Sequence, residues 1–347
     1  MKRFLLTALC TPIALFSSAQ IFSGTYTTEW HWNMHKKTNW VNQLRLNLNI
    51  PLCDHKASIE ASTLHMAKTN ATITGDWQTF SNIEVDNCVA AIAVLGFHQT
   101  WRQANLFAGV RNVNEDFFTS PLTSIFLNSS CGLFPTIAAS YPIANYPVSG
   151  LTLYFDVSKR GFTFRNSLYN GVGYMGWNRH DNPFLVRPKR DGVFNISQLE
   201  YTCSTGQYYV GAAIHSRHFA NPIEAEALPE NARPTRHTSC AWWGYAEQKL
   251  WGAGDKDVWG MLQYSENTSR KNACYRYAEL GATYADSLNT CGVSAQFAQF
   301  SQGKEYSLEL TYKRQLNASI ALQPSFQYIK NKNGNYTVVC ARLYYDF

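Results

Sequence analysis

The C-terminal stretch 305–347 constrains the fold most, because its side chains alternate between apolar and polar over three successive segments. Across 306–312, apolar residues occupy every second position, and polar residues occupy the positions between them. The segments around 319–329 and 336–347 repeat this pattern. A period of two predicts β-strands that have one apolar and one polar face.

Two architectures fit strands of this kind. One is a soluble sandwich with a single hydrated face, and the other is a membrane barrel whose apolar face meets lipid and whose polar face lines an aqueous lumen. The C-terminal residue Phe347, preceded by apolar alternation, resembles the recognition signal of outer-membrane barrels. The 20 Tyr, 20 Phe and 10 Trp are also expected for aromatic girdles at two membrane interfaces. These features favour the membrane barrel.

The N-terminus has the layout of a secretory signal peptide. Lys2 and Arg3 precede an apolar run over 4–16, and small residues follow this run as far as Ala19. The run is too short for a membrane-spanning helix, and no later stretch reaches the roughly 20 apolar residues that such a helix needs. We therefore expect residues 1–19 to be removed and residues 20–347 to enter the bacterial outer membrane as strands.

Charge and motif content exclude several classes of function. Loss of Lys2 and Arg3 with the signal lowers the formal net charge from +6 by two to +4, which is too weak and too dispersed to indicate nucleic-acid binding. No HExxH, GxSxG or nucleotide-binding motif occurs, and the nine His are scattered, so we expect neither an enzyme nor a cofactor or metal site. Eight of the nine Cys remain in the mature chain, and the sequence leaves their pairing open.

Alternating segments recur along the whole mature chain, and short and long connections between them alternate. This asymmetry is typical of outer-membrane barrels, which have tight turns on the periplasmic side and loops outside. Counting the segments predicts an all-β fold, a transmembrane antiparallel β-barrel of about 16 strands that encloses an aqueous channel.

The longest connection, 112–149, follows the fifth predicted strand. Four prolines prevent a long regular element, and a connection of this length in a compact fold is usually functional. Its content of Phe, Leu and Ile is too apolar for a freely solvated loop. We therefore expect the loop to fold inward as a constriction, while a cap over the mouth or a contact with a neighbouring subunit remains the alternative.

Charged residues in the polar phase of the strands are candidates for the pore lining. Both signs occur, which suits neutral polar solutes, whereas a ring of one sign would select ions. For each residue, the alternative is ordinary solvation of the wall. Glu200 and Arg276 are also assigned to the lumen, although the phase of their strands, near 192–201 and 273–284, is ambiguous. The candidates, including loop residues that directly follow Arg111, are Arg45, Glu60, Arg111, Asn112, Asn114, Glu115, Asp116, Asp156, Arg165, Glu247, Lys249, Glu279, Glu309, Lys313 and Arg342.

Two further groups have alternative interpretations. Tryptophans such as Trp243 are either platforms that stack on sugars or members of an interface girdle, and the girdle is favoured for Trp242 and Trp251. A basic run in the predicted loop 171–191 suits either lipopolysaccharide phosphates or solvent; it comprises Arg187, Lys189 and Arg190.

Several segments resemble the OprB-type carbohydrate-selective porins, in the form found in Bacteroidetes-like chains. They include AGVRNVNEDFFTS and LNSSCGLFP within 108–157, RNSLYNGVGY within 165–192, and SENTSRKNACYRYAELG within 265–281. The resemblance implies a 16-stranded barrel that passes small sugars by diffusion and is surrounded by outer-membrane lipid. A porin for another class of solute, such as amino acids, and a structural or adhesive barrel with an occluded lumen remain alternatives, and the sequence leaves homo-oligomer formation open.

Overall fold

A computed structural model describes residues 21–34, 37–52, 56–217 and 238–347, which form one closed β-barrel. Sixteen strands pair in sequence order, all antiparallel, and the first strand pairs with the last to close the cylinder. The predicted 16-stranded membrane-barrel architecture is therefore confirmed. The signal peptide predicted for residues 1–19 lies outside the described residues.

The strands contain 8 to 15 residues each. In chain order they are β1 Ile21–Trp32, β2 Thr38–Leu52, β3 Ala57–Lys68, β4 Cys88–Trp101, β5 Ala104–Arg111, β6 Gly150–Lys159, β7 Phe162–Asn170, β8 Val193–Cys203, β9 Gly206–His215, β10 Ser239–Ala253, β11 Lys256–Asn267, β12 Cys274–Ala285, β13 Asn289–Phe300, β14 Gly303–Gln315, β15 Ile320–Asn331 and β16 Gly334–Asp346.

Side chains alternate between the two faces of the barrel wall, as the period of two requires. In β14, Leu308 and Leu310 are exposed on the outer face, while Ser307 and Glu309, which alternate with them, are buried on the inner face. The outer face carries apolar and aromatic residues along its length, whereas the inner face is mostly polar. This distribution is that of a barrel with lipid outside and polar groups inside.

The two ends of the barrel differ in the length of their connections. At one end, the short-turn end, connections such as 102–103, 160–161 and 316–319 are tight turns. At the other, the long-loop end, the connections include 69–87 and 112–149. The predicted loop asymmetry is therefore present. No helix in the described part of the chain is both long and apolar enough to cross a bilayer.

Residues 112–149 lack extended regular structure, in keeping with their prolines. They form three short 3-10 turns and a single helical turn, α1 (Pro135–Ala138). Their apolar side chains pack against the inner face of β10–β13. The ring of Phe134 lies 5.7 Å from that of Tyr277, and the ring of Phe118 lies 5.1 Å from that of Trp243. The larger of the two buried apolar clusters in the described part of the chain therefore lies inside the barrel.

The C-terminal residue completes the seam between β1 and β16. Gly24 and Phe347 exchange two backbone hydrogen bonds of 2.9 and 3.0 Å. A Cβ atom on Gly24 would lie 2.4 Å from the Phe347 ring, so a side chain at this position would displace the ring. The small residue and the terminal aromatic residue thus fit each other at the point of closure.

The cysteines that the structure describes are unpaired thiols. These seven residues are Cys88, Cys131, Cys203, Cys240, Cys274, Cys291 and Cys340.

Candidate functional site

A cavity of ≈ 980 Å³ opens inside the barrel between the wall and two connecting segments. The wall side comes from β16, β1, β2 and β3. We call residues 69–87 the first inner loop and residues 112–149 the second inner loop; both contribute to the opposite side. The cavity therefore lies beside the second inner loop, where the lumen is not filled by side chains.

The cavity lining is rich in neutral polar groups. Only four lining residues carry a charge, two basic and two acidic, which are Arg45, Arg342, Glu84 and Glu115. Side-chain amides are more numerous: Gln43, Gln78, Asn82, Asn112, Asn114 and Asn145. Aromatic faces complete the lining: Trp77, Phe118, Phe126, Tyr146 and Tyr344. The lining thus offers many hydrogen bonds and no net formal charge.

Four predicted pore residues meet at this cavity. The Arg45 guanidinium forms an ion pair with Glu115 across 3.0 Å, which joins β2 to the second inner loop. The side chain of Asn112 accepts a hydrogen bond from the backbone N–H of Asn114 and caps the first turn of that loop. The Asn114 side chain in turn accepts from the backbone N–H of Tyr146. The structure therefore brings Arg45, Asn112, Asn114 and Glu115 together.

Arg342 also lines the cavity, but it is almost fully buried in an ionic network. It pairs with Glu29 on the adjacent strand β1 and donates to the Asn82 side chain at 2.6 Å. Glu29 also contacts His31 at 2.5 Å, and His31 faces Glu84 at 3.6 Å. Because Asn82 and Glu84 belong to the first inner loop, this network fixes that loop to the β1–β16 seam.

Three acidic candidates lie beneath the second inner loop and not on the cavity. Glu247 accepts a hydrogen bond of 2.5 Å from the Ser120 hydroxyl, and Glu279 accepts from Tyr277 and Ser294 of the wall and from the Cys131 thiol of the loop. Glu309 accepts from backbone N–H groups of the loop. These carboxylates therefore support the loop, since its atoms cover them.

Two further candidates, Arg111 and Asp116, form a buried ion pair of 2.7 Å at the start of the second inner loop. The guanidinium of Arg111 also lies over the rings of Phe107 and Tyr154, at 3.9 and 4.6 Å from their centroids. A cation between two aromatic faces is held in a defined orientation. The pair thus fixes the direction in which the loop leaves β5.

Arg165 and Asp156 lie next to this pair. Arg165 forms an ion pair of 3.1 Å with Glu200 and donates to the backbone carbonyl of Asp116 at 3.3 Å. Asp156 accepts from the Tyr154 hydroxyl at 2.7 Å. Glu200, whose phase the sequence left ambiguous, thus faces the interior.

The last three candidates lie on the inner face outside the cavity lining, and each has a partner of its own. The contacts are Glu60 with His98 at 2.7 Å, Lys249 with Asp257 at 2.5 Å, and Lys313 over the ring of Tyr344 at 4.3 Å.

The remaining residues whose position the sequence left open are Arg276 and the tryptophans, and most of them lie on the outer face. Arg276 lies outside and pairs with Glu266 at 3.1 Å, so its placement in the lumen is wrong. Trp242 and Trp251 are exposed on the outside, as expected of a girdle. Trp243 is buried under the second inner loop and belongs to neither predicted class.

None of the pore residues predicted from the sequence lies in the first inner loop, so sequence reasoning missed this loop as a part of the site. Trp77, Asn82 and Glu84 of this loop line the cavity. The available signal was its apolar content, since Phe80 and Ile83 are buried inside the barrel. An apolar residue in a polar loop at the rim of a barrel needs a surface to pack against.

Comparison with known proteins shows to which family this barrel belongs. The profile of the carbohydrate-selective porin family, OprB, matches residues 21–342. The chain belongs to this porin family. Its fold and family are those of channels, and the family places this porin in the bacterial outer membrane. The long-loop end is therefore the external end.

Solved structures resemble this porin over nearly its whole length. The high-pH structure of Pseudomonas putida OprB matches with a TM-score of 0.79 at 14% identity, covering 97% of this chain and 96% of that one. A mutant of the Rh. blastica porin matches with a TM-score of 0.58 at 12% identity, covering 95% and 100%. At these identities the likeness shows the fold alone. No curated protein sequence matches the chain significantly.

We expect the Arg111–Asp116 pair to make the stability of this porin depend on pH. Burial raises the pKa of the Asp116 carboxyl from 3.8 to about 7, and the neighbouring Arg111 opposes this only in part. A raised pKa in the folded state favours the protonated form, so this group's contribution to stability is present below pH 3.8 and is lost as the pH rises through about 7. Urea unfolding of wild type and Asp116→Asn in detergent, compared from acid to neutral pH, measures this pH dependence of the stability. A stability difference that stays constant over this range would contradict the assignment.

Proposed function

We propose that this porin passes small neutral carbohydrates by passive diffusion and that the cavity beside the second inner loop is its selective passage. The charge balance of the cavity lining carries this proposal: two basic and two acidic residues, with Arg45 and Glu115 paired, among many amides and hydroxyls. A lining of this kind gives no preference to one sign of ion and exchanges hydrogen bonds with hydroxyl groups.

Carbohydrate rings also present apolar C–H faces, which aromatic side chains accommodate. Trp77, Tyr146 and Tyr344 lie on the cavity among the amides, so both kinds of contact are available within one passage. An amino acid would interact less well with this lining. Its ammonium and carboxylate groups need charged partners that are free, whereas Arg342 and Arg45 already form ion pairs.

The second inner loop acts as the constriction in this proposal. Its contacts with Glu247, Glu279 and Glu309 on the inner wall support this role over that of a cap at the mouth. The candidates beneath the loop act through its position, and the almost fully buried Asn112 and Arg342 hold the lining in place, whereas Arg45, Asn114 and Glu115 contact the solute.

We also propose that the external basic residues contact lipopolysaccharide. The side chain of Arg190 is mostly exposed, and the Arg187 guanidinium donates to the backbone carbonyls of Arg179 and His180. Exposed cations near the outer leaflet suit phosphate groups.

Liposome swelling tests the proposed solute class. With purified protein in liposomes at matched osmolarity, we expect glucose to enter faster than arginine or glutamate, because the passage has no net charge to attract either ion. A maltooligosaccharide reports the size limit in the same assay. Faster entry of arginine or glutamate would replace the carbohydrate assignment with an amino-acid channel, and absence of swelling with every solute would indicate an occluded barrel.

A further inference from the structure

Strands β14 and β15 carry four polar side chains that line up on the inner face of the wall. Glu305 and Glu309 lie four residues apart on β14, and Gln323 and Gln327 lie four residues apart on β15. All four are fully buried. A spacing of four keeps side chains on the same face of a strand. The two glutamates therefore both point inward at different levels along the barrel axis, and so do the two glutamines.

Each carboxylate binds two consecutive backbone N–H groups, one with each oxygen. Glu305 accepts from the N–H groups of 77–78 in the first inner loop, at 2.8 and 2.9 Å. Glu309 accepts from the N–H groups of 127–128 in the second inner loop, at 2.7 and 3.1 Å. Each carboxyl group therefore holds the loop backbone at two neighbouring residues.

Each glutamine contributes the complementary contact. The side-chain amide of Gln327 donates to the backbone carbonyl of Phe80 at 2.7 Å, and that of Gln323 donates to the carbonyl of Ile125 at 2.5 Å. Each inner loop is therefore attached to β14 by a glutamate and to β15 by a glutamine. A backbone held through both its donors and its acceptors has little freedom to rotate.

The two inner loops are also bonded to each other at the same level. The backbone N–H of Asn82 donates to the carbonyl of Leu127 at 2.7 Å, and the N–H of Ser129 donates to the carbonyl of Thr79 at 3.0 Å. These residues adjoin the segments held by the glutamates and glutamines. The loops therefore form one continuous plate attached along two neighbouring strands.

We propose that Glu305, Glu309, Gln323 and Gln327 are positioning residues that set the aperture of the channel without lining it. None of the four belongs to the cavity lining. They fix the plate at β14 and β15, and the cavity stays open next to this attachment, along the neighbouring strands β16, β1 and β2. This inference rests on the proposed role of the second inner loop as the constriction.

Removing one carboxylate leaves two buried N–H groups without their acceptor, and such groups seek another partner. In Glu309→Ala, we expect the segment 127–128 to leave the wall for part of the time, because the alanine side chain offers no acceptor in place of the carboxylate. The passage would then alternate between widths on the timescale of loop motion.

Single-channel recording in planar bilayers tests this inference. We expect Glu309→Ala to show additional conductance levels that differ from the main level by roughly twofold. Glu309→Gln retains one acceptor oxygen and should show an intermediate frequency of these levels. The matched control is Ser307→Ala, since Ser307 lies between the two glutamates on the same face and its hydroxyl has no hydrogen-bond partner among the described residues. Ser307→Ala should match wild type.

The two glutamates should also depend on each other, because their loops form one plate. We expect the effects of Glu305→Ala and Glu309→Ala on the occupancy of the additional levels to be non-additive in the double variant. Heat-modifiable migration on gels shows for every variant that the barrel is closed, and Glu309→Gln serves if Glu309→Ala does not fold.

The outcomes separate this inference from the proposed function. Closed Glu309→Ala and Glu309→Gln barrels with a single wild-type conductance level would overturn the positioning role. If the second inner loop can be removed entirely without a change in conductance, the proposed constriction fails. A conductance that rises on removal of the loop but not on loss of the glutamates overturns only the inference drawn from β14 and β15.

Discussion

Replacing residues 112–149 with a four-residue turn is expected to raise the single-channel conductance several-fold. Arg111 and Gly150 are register partners at the ends of β5 and β6, so a short hairpin turn containing Asn-Gly can join them. The replacement removes the apolar side chains packed inside the lumen but no strand of the wall. A 16-stranded barrel without an inward segment encloses a wide aqueous channel.

The same variant should lose its size limit in liposome swelling, so that maltooligosaccharides enter nearly as fast as glucose. Heat-modifiable migration is the control for a closed barrel, because the wall must be intact for the comparison. An unchanged conductance in a closed barrel would show that the second inner loop does not narrow the passage.

Arg342→Met is expected to reduce the free energy of unfolding by about 3–5 kcal/mol, as loss of one partner of a buried ion pair does. Arg342 and Glu29 are both almost fully buried, so the substitution leaves the Glu29 carboxylate without its cation. The same substitution removes the contact between Arg342 and Asn82, which detaches part of the first inner loop. Urea unfolding of the protein in liposomes measures the loss.

Two further variants show how much of the stability loss in Arg342→Met comes from the unpaired buried charge. Glu29→Gln combined with Arg342→Met should recover part of the stability, because no buried charge is then left unpaired. Lys249→Met serves as the matched control, since the Lys249–Asp257 pair is about one-third exposed and should contribute only about 0–1 kcal/mol. Equal losses for Arg342→Met and Lys249→Met would contradict a special role for the buried pair.

The strands and their inner and outer faces were predictable, because a barrel wall with lipid on one side imposes strict alternation on each strand. Glu309 illustrates this: its position between Leu308 and Leu310 was enough to place it inside. Arg276 illustrates the limit. The register between β12 and β13 shifts between Cys274 and Arg276, and such an irregularity breaks the count of two on which the assignment of faces depends.

The functional site was less predictable, because it depends on how the connecting segments fold inside the barrel. The sequence indicated that Glu247 and Glu309 face inward, but not that the second inner loop covers them. Trp77 lies far along the sequence from Glu305, and no local pattern relates the two. Contacts between a loop and a distant wall leave no periodic signal, whereas the pairing of adjacent strands does.

The contact between Gly24 and Phe347 also bears on how the chain is assembled. A seam between the two ends of the sequence has the largest possible separation along the chain, and pairings of this kind form slowly. Until the last strand arrives, both edges of the growing sheet expose unpaired N–H and C=O groups, which readily pair with other chains. We therefore expect the unfinished barrel to be prone to pairing with other chains, and the contact of Gly24 with Phe347 removes both exposed edges at once.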